Sequence, residues 1–341
     1  MRRDLLATLC ETPGTSGWED RIRAVVLPEL EATCERVETD PLGGLIGRRD
    51  GSGPTLMFAA HMDEIGLMVT HIDERGYIRF VPTGGWDART LVGQRVTVHG
   101  REDVLGVVGS TPVHLLDEAA RGRAPKIDEL AIDTGRSAGE VRDLVRMGDR
   151  ITRNRRLVSL GDLLTGKSLD NRIGVFVMLE ALVAAPTGTC ALAAAATAQE
   201  EVGLRGARVA TARVDPDIGI AIDTCPANDG PGTPLSGPST RLGSGVAIRL
   251  MDASAIASRR VVDLMVDICE DRGIPHQFHA ANTGGTDTQS LQLSGTGSLA
   301  GCVSIPTRYI HTSVESCHPD DIDAAIRLVG GLIERGHELA G

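Results

Sequence analysis

Cys190-Ala191-Leu192-Ala193-Ala194-Ala195-Ala196-Thr197 runs straight into Ala198-Gln199-Glu200-Glu201-Val202-Gly203. The first part is small and apolar and reads as a buried strand. Two adjacent carboxylates where such a strand ends require a reason. Side chains alternate along an extended segment, so Glu200 and Glu201 are expected to point in different directions. One can then hold a metal while its neighbour does acid–base work.

Working outward, the chain after Gly166 alternates strands and helices. Residues 171–184 read as an amphipathic helix with Asp170 at its N-cap. Residues 217–222 and 300–305 read as strands, residues 254–272 as a helix ended by Gly273, and residues 319–339 as a terminal helix. Upstream, residues 1–13 and 18–35 read as helices separated by Gly14-Thr15-Ser16-Gly17, with Pro28 expected to kink or split the second. A short strand around residues 42–47 and a turn at Asp50-Gly51-Ser52-Gly53 precede an apolar strand, residues 55–60, that ends at His61. This alternation predicts a three-layer α/β/α sheet.

The texture differs between these parts. Residues 67–72, 77–81, 94–98 and 104–109 are short alternating segments, the first two joined by the hairpin loop Glu74-Arg75-Gly76. A polar region, residues 117–149, follows, with one short helix at 138–145. The reading is one α/β domain, residues 1–66 and 166–341, with a small β-barrel-like domain, residues 67–165, inserted into it.

Composition narrows the function. Of 341 residues, 41% are apolar and 24% charged, as in ordinary soluble globular proteins. Aromatics are only 2%, so Ala, Val, Leu and Ile must build the core. A net charge of -11 argues against general affinity for nucleic acid. Cys10, Cys34, Cys190, Cys225, Cys269, Cys302 and Cys317 are scattered, without a CxxC pair, which points to reduced thiols in a cytoplasm. The N-terminus lacks the pattern of a signal peptide. No apolar run approaches the ~20 residues of a membrane span.

Several predicted strands of the α/β part lead to a metal-capable residue: His61, then Glu200 and Glu201, then Asp223, then His311 beyond Pro306-Thr307-Arg308-Tyr309-Ile310. Asp170 adds a carboxylate at a helix start. In open α/β sheets, sites form beyond the carboxyl ends of the strands. Two His, two Asp and two Glu gathered there suit two divalent metals, and the imidazole–carboxylate mixture favours Zn²⁺ or Co²⁺ over Mg²⁺ or Ca²⁺. Each residue alone has a plain structural reading: a hydrogen-bonded His, a cap, a turn. Five separate stretches placing such residues at equivalent positions is what makes a metal site. His71, His99, His114, His276, His279, His318 and His337 lack that placement and read as structural or surface residues. The Gly284-Gly285 turn before Thr286-Asp287 reads equally as a pocket wall or a plain turn.

These stretches resemble the dinuclear-metal aminopeptidases of metallopeptidase family forty-two, the tetrahedral (TET) and glutamyl aminopeptidase group. The resemblance spans nearly the whole chain. It rests on Gly14-Thr15-Ser16-Gly17-Trp18-Glu19, Asp40-Pro41-Leu42-Gly43, His61-Met62-Asp63-Glu64-Ile65-Gly66 and Gly84-Gly85-Trp86-Asp87. It continues at Lys167-Ser168-Leu169-Asp170-Asn171-Arg172, Gln199-Glu200-Glu201-Val202-Gly203, Gly285-Thr286-Asp287 and Pro306-Thr307-Arg308-Tyr309-Ile310-His311. Gly44 stands where the family often has Asn. The resemblance implies that Asp170 bridges two metals, with His61 and Asp223 completing one site and Glu201 and His311 the other. It implies Glu200 as general base and Asp63 as the carboxylate that orients the His61 imidazole. It further implies cytoplasmic removal of N-terminal residues from short peptides, and assembly into homododecamers with contacts in the inserted domain.

Two other readings remain: a related dinuclear amidohydrolase acting on N-acyl amino acids, and a non-catalytic metal-binding scaffold. The scaffold would have no need of Glu200. Some members of the group carry endoglucanase labels, but glycoside hydrolysis normally uses two flanking carboxylates without metals. Arg308, close to His311, is a candidate for recognising an acidic side chain and equally for a salt bridge.

Overall fold

The computed structural model describes residues 1–340 apart from 116, 186–188, 232 and 234–239. Its large sheet has eleven strands. At the centre, Ala191–Thr197, Thr55–His61, Ile218–Pro226 and Leu299–Arg308 lie side by side and parallel. Parallel strands are buried on both faces, which is why these runs are continuously apolar rather than alternating.

The two faces differ in side-chain size. Leu56, Phe58, Leu192, Ile220 and Ile222 point to the larger core, shared with helices Arg3–Glu11, Asp20–Glu31, Leu169–Ala184, Arg259–Arg272 and Pro319–Arg335. Met57, Ala59, Ala193, Ala195 and Ala221 point to the other face, against Arg205–Val214 and Thr288–Gln292. Small side chains on that face let the two short helices approach the sheet closely. This is the expected three-layer α/β/α arrangement.

The six strands Gly66–Ile72, Ile78–Thr83, Arg95–His99, Asp103–Gly109, Ala131–Asp133 and Arg150–Arg153 close into a barrel with its own apolar core, including Val69, Phe80, Val98 and Ile132. Asp103–Gly109 alternates strictly between buried and exposed residues, as a one-sided strand should. Downstream of the barrel, Val158–Leu160 and Leu163–Gly166 pair back into the large sheet through Glu315–Cys317.

Three helix expectations change. The helix expected at 171–184 is buried on nearly every side rather than amphipathic, because it runs beneath Arg3–Glu11 and Pro319–Arg335. Nor is Asp170 its cap. Asp170 and Asn171 have non-helical backbone angles and a cis peptide joins them. Asn171 does the capping, its Oδ1 accepting the Gly174 N–H at 3.0 Å, which leaves the Asp170 carboxylate for other work. Pro28 does not split its helix, because it falls in the last turn of Asp20–Glu31.

The small-residue face sets a stability prediction. Ala195→Leu would add bulk between the sheet and Arg205–Val214, where Ala195 is fully buried. Urea denaturation should show a loss of about 1–3 kcal/mol from overpacking.

Candidate metal centre

Strand register creates the site. Ala59 pairs with Ala221 and Ala196 with Ala60, so the parallel strands end level, with His61, Thr197 and Asp223 at one edge. Beyond Thr197 the chain leaves the sheet. Gln199 adopts the left-handed region, φ +57°, and the Glu200 carbonyl accepts the N–H groups of Gly203 and Leu204 at 2.9 and 2.8 Å. Glu200 and Glu201 therefore diverge because of a turn, not because of strand alternation as expected.

The Asp63 carboxylate holds that turn. Its Oδ1 accepts the Glu200 N–H at 2.9 Å, and its Oδ2 accepts the Glu201 N–H at 3.3 Å and the Ser16 hydroxyl at 2.6 Å. Glu19 braces the residue before, its Oε1 accepting N–H groups from Gly17 at 2.8 Å and Gln199 at 3.1 Å. Asp63 also fixes His61, but chiefly through its main chain. His61 Nδ1 lies 3.1 Å from the Asp63 carbonyl and 3.6 Å from Oδ1. A carbonyl can only accept, so Nδ1 carries a proton, and Nε2 is the nitrogen turned toward the acids.

All six predicted ligand-type residues converge there. His61 Nε2 is 3.6 Å from Asp170 Oδ1, 3.8 Å from Glu200 Oε2 and 3.8 Å from Asp223 Oδ1. His311 Nε2 is 3.3 Å from both Asp170 Oδ2 and Glu201 Oε2. The two Asp170 oxygens thus face different imidazoles. Two groups result, His61–Glu200–Asp223 and Asp170–Glu201–His311, each tight enough to hold one ion.

The electrostatics suit cations. Burial raises Glu200 well above the usual carboxylate range, with repulsion from Asp223 and Glu201 adding to it. Burial and the charge of Asp170 push Asp223 up to about 7 against the pull of His61. Burial opposes a proton on His311, yet hydrogen bonds to Asp170 and Glu201 push it up to about 11. Mutually repelling carboxylates are thus crowded together beside two imidazoles. The buried Glu201 Oε1 has no hydrogen-bond partner among the described residues. Divalent ions would satisfy both conditions, so the residues present fit two metals.

The centre opens into a cleft of about 470 Å³ whose walls include Arg249, His279, Ile310 and the turn Gly284-Gly285. His279, expected to be structural or on the surface, is buried against this cleft. Arg308 makes a two-pronged salt bridge to Asp229, at 2.6 and 2.8 Å, and does not line the cleft. The barrel reaches the centre through Gly85, where a Cβ would sit 3.2 Å from His311 Nδ1. Behind the centre lies a charged cluster that sequence reasoning missed. Buried Glu64 binds Lys167 Nζ at 2.8 and 3.0 Å and the Ser168 hydroxyl at 2.5 Å. Its neighbour Asp63 was legible because it follows His61 by two residues; no spacing in the chain marks Glu64 and Lys167 as partners.

The family model for M42 glutamyl aminopeptidases matches residues 43–328. The chain belongs to that family. It is an aminopeptidase, a peptide hydrolase. Over 351 aligned residues it is 35% identical to the lysyl aminopeptidase of Pyrococcus furiosus, covering 97% of this chain and 96% of that one. An aminopeptidase from the archaeon Desulfurococcus kamchatkensis superposes with a TM-score of 0.94 at 37% identity, covering 97% and 94% of the two chains. The Pyrococcus horikoshii TET1 peptidase, described as assembling into a tetrahedron or a large octahedral shell, gives a TM-score of 0.88 at 33% identity, covering 97% and 99%. Members of the family use divalent metals, as the converging ligand groups would require.

Metal removal provides the test. Returning divalent metal to chelator-treated protein should raise its Tm, by the equivalent of about 2.7 kcal/mol per bound ion at a hundredfold excess over Kd. Asp170→Asn, which removes the carboxylate that faces both imidazoles, should abolish most of that rise in a thermal scan.

Proposed function

We propose that this aminopeptidase works through two divalent ions, Zn²⁺ or Co²⁺, held by His61, Asp170, Glu201, Asp223 and His311, with Glu200 as general base. The carrying observation is that Asp170 presents one oxygen to each imidazole, as a shared ligand must. Such ions, when bound, polarise a water and the scissile carbonyl. Glu200, in the cleft wall, would receive a water's proton and deliver it to the departing amine. His61 stays oriented by the Asp63 carbonyl, and the Asp63 carboxylate keeps the Glu200 amide in place. Burial of Glu200 and Asp223 keeps the reacting groups from being levelled by bulk solvent.

Glu200 lies as near His61 as Asp223 does, so geometry alone would also allow it as a ligand. The two roles separate by experiment. Glu200→Gln should lower kcat on amino-acyl anilides by about 10²–10⁴-fold while metal analysis still finds two ions per chain. Loss of one ion with the substitution would make Glu200 a ligand instead, and unchanged turnover would sink the base role.

The substrates are short peptides with a free N-terminus. Comparison of free with N-blocked peptides checks this: preferential cleavage of the blocked set would favour an N-acyl amino acid hydrolase. A cytoplasmic site of action fits the seven cysteines, all of which remain thiols. We also propose assembly into a homododecamer through the barrel-bearing region, residues 67–165, on the strength of the likeness to the tetrahedron-forming P. horikoshii peptidase. Light scattering should report the mass of twelve chains; a monomer or dimer mass would refute it.

A further inference from the structure

One fully buried carboxylate outside the ligand set grips the main chain of two ligands at once. Glu315 begins the strand Glu315–Cys317, where it pairs with Gly166. Its Oε2 accepts the Asp170 N–H at 3.0 Å, and its Oε1 accepts the His311 N–H at 3.1 Å. We propose that Glu315 is a positioning residue for the metal centre, setting Asp170 and His311 relative to each other, and that Arg153 of the barrel completes the device. The proposal rests on the two-metal reading above.

The main chain needs such a hold. Tyr309 and His311 have φ of +59° and +64°, in the left-handed region that costs non-glycine residues. Asp170 interrupts the start of its helix with φ -79° and ψ 109°, so its N–H has no place in a regular helical turn. Both segments leave regular structure just where a ligand must be aimed. Glu315 ties the two departures together, because each of its oxygens takes one of their N–H groups. An uncharged amide in the same place offers only one accepting oxygen.

Arg153 holds the carboxylate from the other side. It ends the barrel strand Arg150–Arg153 and is 3% exposed. Its Nη1 donates to Glu315 Oε1 at 3.3 Å and to the Thr312 carbonyl, within the loop that carries His311. Its guanidinium lies over the Trp86 ring, 5.3 Å from the centroid. Trp86 in turn anchors to the Gly66 carbonyl through Nε1 at 2.9 Å. The barrel therefore reaches His311 by two routes, one through Gly85 and one through Arg153 and Glu315. It is part of the scaffold of the metal centre.

A merely structural buried ion pair would weaken the fold as a whole. A positioning residue makes a different prediction, because the Asp170–Glu201–His311 group has two of its members held by Glu315. The His61–Glu200–Asp223 group is touched only through Asp170. Full-length protein is stripped with a chelator and titrated with Zn²⁺ against a chromophoric competitor, which reads the two affinities separately from activity. Glu315→Gln should weaken the site of Glu201 and His311 by about 10–100-fold and the other, which Glu315 reaches only through the shared Asp170, by clearly less. Its kcat should fall at limiting Zn²⁺ and recover as Zn²⁺ is raised. Arg153→Lys, which keeps the charge but cannot reach both Glu315 and the Thr312 carbonyl, should show a smaller loss at the same site. Parental affinity at both sites in Glu315→Gln, or an equal fall at both, overturns the proposal. If Glu315→Gln does not fold by circular dichroism, Arg153→Lys decides: a one-site loss supports the proposal and unchanged binding overturns it. A parent that binds no Zn²⁺ would instead refute the two-metal reading.

Discussion

The parallel register of three strands is the constraint on which everything else hangs. Because Thr55–His61 lies between Ala191–Thr197 and Ile218–Pro226 in step, the chain delivers His61, the Glu200-Glu201 turn and Asp223 to one edge. A slip of one residue would turn Asp223 to the opposite face and break the set. The alanine-rich face of the same strands admits Arg205–Val214, the helix that follows the carboxylate turn and returns the chain to the sheet.

Register brings charges together; a surrounding layer of polar groups makes that tolerable. Asp63 and Glu19 bind main-chain amides of the carboxylate turn. Glu315 binds those of Asp170 and His311. Glu64 sits among Lys167, Arg153 and Arg172. Among the described residues, the acids facing the cleft have few donors of their own, and Glu201 Oε1 has none. The division has a physical logic: carboxylates behind the centre are satisfied by the protein, and those in it are left for cations. The barrel joins this layer through Arg153 and Gly85, so the inserted segment packs against the side of the centre that carries His311.

Much of this was legible in the chain. Strand ends bearing His61, Glu200, Glu201 and Asp223 could be read because apolar runs of strand length stop at polar residues. The alternation of strands and helices foretold the layers, and the short alternating segments foretold the barrel. Arg308, Asp170 and the Glu200–Glu201 pair show where such reading stops. Sequence proximity to His311 made Arg308 a candidate for the pocket, but Asp229, distant in sequence, claims its guanidinium. Asp170 looked like a cap until Asn171 took that role. Glu200 and Glu201 do part company, though by a left-handed Gln199 and not by the pleat.

The sequence by itself determined the layers, the inserted barrel and the six metal-capable residues that meet at the strand ends. Those follow from apolar period and residue type, which are local properties. Only the tertiary structure decided that Asp170 faces both imidazoles, that His279 and Gly284-Gly285 wall the cleft, and that Glu315 and Arg153 stand behind His311. Those are meetings of residues far apart in the chain. No local pattern encodes them, because a buried carboxylate finds its partners only when the chain has folded around it.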